Sequence, residues 1–303
     1  MPRHVGDQDG ESSAAQMQEV VEVAAGFVGW SIPSGDIKAR TIPADALIFD
    51  LEDAVAPDAK PAARANAVAA AKSGDYGRRE ITIRCNGLDT QWGADDLAAA
   101  ATSGAAAVVI PKINSTDELD DVSRRLTAAG APDSMTIWAM VETPTAIFDV
   151  RAIAAHPRVA TLVMGTNDLA KELRATQVRG RAPLLPHLST ALLAAREAGK
   201  VILDGVFNDV KDLDAFRAEC EQGAHMGFDG KTLIHPGQVD ICNEVWAPTE
   251  ADVDYAQRVI AAFDEAQSDG RGVITVDGRM IENLHVDNAR RVLAVQAAID
   301  ALA

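Results

Sequence analysis

A (β/α)8 barrel with an appended helical C-terminal arm is the fold class this sequence predicts, on three observations. Short, continuous apolar runs alternate with longer helical stretches over most of the 303 residues. Nearly every run ends in a polar or charged residue. After Pro236 the rhythm gives way to helical stretches around one short hairpin.

The runs are 46–52 (ALIFDLE), 81–86 (ITIRCN), 107–112 (AVVIPK), 136–143 (TIWAMVET), 161–168 (TLVMGTND), 201–206 (VILDGV) and 230–236 (GKTLIHP). Each is apolar throughout rather than alternating, the pattern of a strand buried on both faces of a parallel sheet. Amphipathic, Ala-rich stretches at 59–73, 95–103, 116–129 and 186–198 read as the intervening helices. An eighth strand at 27–32 (FVGWSI) would close the barrel; an open doubly wound sheet is the competing architecture. Residues 239–246, 250–268 and 285–303 read as helices, and Asp277-Gly278 is a two-residue hairpin turn within 272–280. The expected organisation is therefore an N-terminal extension (1–26), a barrel (27–246) and a C-terminal lid or oligomerisation segment (247–303).

Composition narrows the partners. A formal net charge of −17 repels a phosphate backbone, which argues against nucleic acid. No run of 18 or more apolar residues suggests a membrane span, and the first residues are polar and acidic, unlike a signal peptide. The cysteines, Cys85, Cys220 and Cys242, form no CxxC pair, so reduced thiols in a cytoplasmic protein are the simpler reading.

The strand ends supply the chemistry. In a (β/α)8 barrel the carboxyl ends of the strands form the active-site face, which gathers Glu52, Asp53, Arg84, Asn86, Lys112, Glu142, Asn167, Asp168, Asp204 and His235 at one mouth. Glu142 and Asp168 end successive runs. Two carboxylates side by side repel unless a cation lies between them, and an all-oxygen set suits Mg²⁺ or Mn²⁺. A satisfied buried acid and a helix cap explain the same pair equally well. Arg84 suits a bidentate grip on a carboxylate or enolate oxygen; an ion pair with Glu52 or Asp53 is the plainer alternative. Cys85 reads as packing, and His235 as structural. Lys231, in GFDGK, is a candidate for a phosphate contact, with Arg84 and Asn167 as further candidate ligand contacts.

Taken together, IFDLEDAV, IRCNGLDTQWG, VVIPKI, WAMVETP, VMGTNDLAKEL and DGKTLIHPGQV resemble the citrate lyase β-subunit-like enzymes, CoA-ester lyases of the HpcH/HpaI aldolase superfamily. The likeness runs from about Pro43 to the C-terminus. GTNDLAKEL and VDGRMIENLHV look closest to the malyl-CoA lyase and (3S)-malyl-CoA thioesterase branch. The resemblance implies a mobile C-terminal lid and a homotrimer or homohexamer in which the lid completes a neighbour's active site. It also implies Mg²⁺ on Glu142 and Asp168, Arg84 on the substrate's carboxylate and enolate oxygen, and Glu52 and Asp53 supporting the metal's waters.

Lyases of this branch carry an aspartate as acid/base where this chain has Glu282. A carboxylate one methylene longer suits activation of water against a thioester, so hydrolysis of (3S)-malyl-CoA to malate and CoA is the expected reaction. Cleavage to acetyl-CoA and glyoxylate by a malyl-CoA or related lyase is the alternative, and a non-catalytic CoA-ester-binding subunit a third reading. The chain departs from the family pattern at GWSIPSGDIKARTIPADALIFD, which lacks the usual arginine in the first strand and shortens the connection to the second.

Overall fold

The computed structural model describes residues 27–30, 40–268 and 274–302. Eight parallel strands follow in chain order: β1 (Phe27–Trp30), β2 (Ala46–Asp50), β3 (Glu80–Arg84), β4 (Ala107–Ile110), β5 (Thr136–Val141), β6 (Val159–Met164), β7 (Val201–Asp204) and β8 (Gly230–Leu233). From β2 to β8 they form one curled parallel sheet, and β1 pairs with both β2 and β8, closing it into a barrel. The seven runs read from sequence each become a strand, whose ladder ends two or three residues before the end of the run, or more. The proposed first strand ends at Trp30; Ser31 and Ile32, like the extension at 1–26, lie outside the described residues.

The connecting helices are α1 (Lys60–Ser73), α2 (Gly93–Ala100), α3 (Thr116–Ala128), α4 (Pro144–Ala155), α5 (Thr166–Glu172), α6 (Leu185–Glu197) and α7 (Leu213–Met226). α8 (Val239–Trp246) follows β8. Their starts are written locally. The Ser115, Thr143 and Asp212 side chains accept from backbone N–H groups in the first turns of α3, α4 and α7, satisfying donors that have no partner within the helix. Phe49, Ile83, Val108, Ile137, Leu162 and Phe216 belong to one large buried apolar cluster. The three cysteines are free and buried.

The chain divides into two compact units, the barrel unit Ala25–Trp246 and a second containing Ala247–Ala303. In the second, α9 (Glu250–Ser268) and α10 (Asn283–Leu302) pack with a hairpin of β9 (Ile274–Val276) and β10 (Arg279–Ile281). Its core is Ala256, Val259, Val276, Ile281, Val286 and Ala289. Asp277 and Gly278 both adopt left-handed backbone (φ 50° and 76°), the primed turn that Asp-Gly favours because its twist matches the strands. No helix among the described residues is long and apolar enough to cross a membrane.

Candidate active site

Parallel register brings Asp50, the last residue of β2, level with Arg84, the last of β3. The guanidinium grips the Asp50 carboxylate with two donors: Nε reaches Oδ1 at 2.7 Å and Nη2 makes a short contact to Oδ2. Its Nη1 pairs with Glu52 Oε2 at 3.2 Å. Burial alone would make this cation harder to keep, but the hydrogen bond to Asp50 and the charges of Asp50, Glu52 and Asp53 more than offset it and hold Arg84 protonated. Asp50 also accepts the N–H groups of Glu52 (2.8 Å) and Ala54 (3.2 Å), so it shapes the loop that carries Glu52 and Asp53. Sequence reasoning missed Asp50. Within the acidic run Asp50–Asp53 only the strand register singles it out.

The same loop is braced from behind. Lys60, buried at the start of α1, donates to the carbonyls of Leu51 and Glu52, each at 2.9 Å, and to Asn86 Oδ1 at 2.8 Å. Asn86 in turn donates to Leu51 O at 2.8 Å and, through its N–H, to the buried Asp96 at 3.0 Å. Arg64 Nε closes the chain on Asp96 at 2.6 Å. Buried polar groups that are all satisfied rigidify what they touch, and here that is the backbone at 51–52. Nothing in the sequence pattern marks Lys60 for this work.

Glu142 follows β5 directly and is 3 % exposed. It accepts the N–H of Lys112 at 2.8 Å. Lys112 holds a left-handed backbone (φ 51°), uncommon for a residue with a side chain, and this conformation accompanies the N–H bond to the carboxylate. On the other side lies Gly165, after β6. A Cβ there would collide with the Cβ and Oε2 of Glu142, so glycine makes the room the carboxylate occupies. Asp168 sits half-buried in the first turn of α5, 3.9 Å from Lys171 Nζ.

Burial pushes the Glu142 carboxyl up to about 7, and the charges of Glu52 and Asp168 add to the effect. Burial likewise pushes Glu52 up to about 7, against the pull of Arg84. Lys112 is held protonated by Glu52, Asp168, Glu142 and Asp53, despite partial desolvation. The carboxylates Asp50, Glu52, Asp53, Glu142 and Asp168 thus outnumber the cations Arg84, Lys112 and Lys171 by five to three. A mouth with surplus negative charge and only oxygen donors fits a hard divalent cation. Among the described residues no group of three or more acidic, histidine or cysteine side chains forms a ready-made cage. A hard divalent cation can also be held by one or two carboxylates, with water and substrate completing the shell. Glu142 and Asp168 are the pair that would hold it.

The remaining candidates fall elsewhere. Asn167 is exposed and exchanges hydrogen bonds with Asn208 (3.1 and 2.6 Å), tying the start of α5 to the loop after β7. His235 is exposed and accepts the Gly237 N–H at 3.1 Å. Asp53 is exposed and acts on Arg84 and Glu52 through its charge. The expectation for Lys231 is corrected. Its side chain is fully buried, with Nζ 3.0 Å from Asp204 and 2.8 Å from Glu219 on α7, so it faces the helix layer and its charge is already neutralised. A phosphate could not reach it without breaking that pair. Glu282 belongs to the second unit, exposed between β10 and α10.

Comparison with known proteins places these features. The model of the HpcH/HpaI aldolase/citrate lyase family matches residues 27–236. The chain is 50 % identical over 264 residues to the (3S)-malyl-CoA thioesterase of Cereibacter sphaeroides, covering 87 % of this chain and 90 % of that protein. It is 36 % identical over 258 residues to citrate lyase subunit beta of Escherichia coli, covering 83 % and 85 % respectively. Among solved structures, the protein CitE from Mycobacterium tuberculosis in complex with magnesium, acetoacetate and coenzyme A is 28 % identical. It superposes with a TM-score of 0.69, over 91 % of this chain and 99 % of that one.

Proposed function

The chain belongs to the HpcH/HpaI aldolase/citrate lyase family, and from that premise we propose that it is a cytoplasmic, Mg²⁺-dependent enzyme hydrolysing (3S)-malyl-CoA to malate and CoA. The observation that carries this reading is half-identity, over nearly the whole length of both chains, with (3S)-malyl-CoA thioesterases. The acidic barrel mouth supplies matching chemistry. Glu142 and Asp168 would hold the Mg²⁺, and Mn²⁺ would serve the same oxygen donors. Bound there, the metal would supply Lewis-acid polarisation of the substrate's oxygens.

The chain's own residues do the rest. Arg84, held rigid by Asp50, offers its remaining donors to the malyl carboxylate. Glu52 and Asp53 would support water at the metal site, and Asn167 would contact the substrate or CoA. Glu282 takes the proton of a water whose oxygen bonds to the thioester carbonyl carbon. The C–S bond then breaks, and CoA leaves as a thiolate that takes up a proton. In this reading the C-terminal unit is a lid, and its Glu282 completes the mouth of a neighbouring copy in a homotrimer or homohexamer. Likeness of VDGRMIENLHV to the malyl-CoA lyase and (3S)-malyl-CoA thioesterase branch supports that assignment.

The test is product analysis. Incubated with (3S)-malyl-CoA and Mg²⁺, the purified protein should release malate and free CoA without glyoxylate. Acetyl-CoA with glyoxylate would make it a lyase and overturn the hydrolytic reading.

A further inference from the structure

Glu282 occupies the N-cap of α10, and the way it is held is unusual. Its carbonyl accepts the N–H groups of His285 (2.9 Å) and Val286 (3.3 Å), the bonds that start the helix. In the opposite direction its own N–H donates to His285 Nδ1 at 2.9 Å. This is one half of a capping box, with histidine at the third helical position where glutamate or glutamine is usual. The residues flanking it complete the arrangement. Ile281 before the cap and Val286 at the fourth helical position are both buried in the same small core, the hydrophobic staple that fixes a chain's angle of entry into a helix.

The backbone of Glu282 is thereby held by hydrogen bonds on one side and apolar contacts on the other, while its side chain faces solvent. A glutamate is not among the residues favoured at an N-cap, where serine, threonine, aspartate and asparagine lead. The acceptor that meets the N-cap N–H comes instead from His285, three residues on. We infer that His285 is a positioning residue for Glu282: its imidazole Nδ1 fixes the backbone from which the carboxylate is presented to the thioester. The inference rests on the reading of Glu282 as general base. It assigns the histidine of the ENLH segment a role in geometry rather than in proton transfer.

Four forms of the full chain test it with (3S)-malyl-CoA and Mg²⁺: the native protein, Glu282→Gln, His285→Ala and His285→Gln. Amide hydrogen exchange at Glu282 is followed in parallel. Loss of the acceptor in His285→Ala should speed exchange at Glu282 and lower kcat for CoA release about tenfold or more, with KM changed less than about twofold. Glutamine restores an acceptor at the same helical position, so His285→Gln should recover both the slow exchange and most of kcat. Native kcat in His285→Ala, with Glu282→Gln inactive, would overturn the positioning role and leave the general base standing. Equal loss in His285→Ala and His285→Gln, with exchange slow only in the latter, would also overturn it, since the cap would then be restored without its benefit. Normal CoA release by Glu282→Gln would remove the general base itself, and the positioning role with it.

Discussion

At the end of β7, Asp204 is fully buried against two cations, with Arg181 Nη1 at 2.6 Å and Lys231 Nζ at 3.0 Å; Glu219 completes the group. At the end of β5, Glu142 is almost as deeply buried, yet its charged neighbours include the carboxylates of Glu52 and Asp168. Burial acts on both acids in the same direction. At Asp204 the charges of Lys231 and Arg181 outweigh it and hold the carboxyl below the usual range. At Glu142 the neighbouring acids reinforce it, and the carboxyl rises to about 7. Two cations balance two acids in the first cluster; in the second, negative charge is left over. A balanced buried cluster is a structural clamp, whereas a surplus is an unmet demand for a cation.

The contrast breaks first on activity. Glu142→Gln keeps an oxygen for the Lys112 N–H but removes the charge proposed to hold the metal. Turnover of (3S)-malyl-CoA at saturating Mg²⁺ should fall on the order of 10³-fold. The metal-free protein should nonetheless become more stable at pH 8, because a charge without compensation has gone. Native-like turnover by this variant would end the assignment of Glu142 as a ligand.

The balanced cluster should respond in the opposite way. Asp204→Asn leaves Lys231 and Arg181 buried with one acid between them, and urea unfolding should register a loss of about 3 kcal/mol. A loss below about 1 kcal/mol would mean that the clamp contributes little and that the two clusters differ less than their geometry implies.

The smallest effect concerns pH. Glu142 and Glu52 have carboxyls raised from an ordinary 4.5 to about 7, so the folded chain binds those protons more tightly than the unfolded one. Their contribution to stability is present below the ordinary carboxylate value and is lost as pH rises towards 7. Metal-free protein should lose on the order of 1–3 kcal/mol between pH 5 and pH 7.5, seen as a falling Tm. Added Mg²⁺ should flatten that slope; a Tm that rises with pH in the chelated protein would contradict the surplus-charge picture.

How far the sequence reveals this site depends on the kind of signal. Continuous apolar runs locate β2 to β8 because a strand covered on both faces has no polar positions to spare, and the residues ending those runs lead to Arg84, Glu142 and Asp168. Pairing is harder to read. The run Asp50–Asp53 offers three acids for Arg84, and only the register of β2 on β3 selects Asp50 for the two-donor grip. Lys231 misleads for a related reason. A lysine in a glycine-rich stretch resembles a phosphate contact, while Glu219 and Asp204, which neutralise it, lie 12 and 27 residues away. Lys60 is invisible in the pattern because its acceptors are backbone carbonyls. The capping of Glu282 by His285, by contrast, is local and is spelled out in four consecutive letters.

Lys112 carries a consequence for engineering. Its left-handed backbone is a conformation that glycine adopts freely and lysine does not, at a cost of order 1 kcal/mol or more. A search for thermostable variants would therefore be drawn to Lys112→Gly, which relaxes the backbone and keeps the N–H that Glu142 accepts. The same exchange deletes one of the cations at the barrel mouth and enlarges its negative surplus. Selection for heat resistance alone would push this position one way and selection for turnover the other, so variant libraries for this enzyme are best sorted on both traits at once.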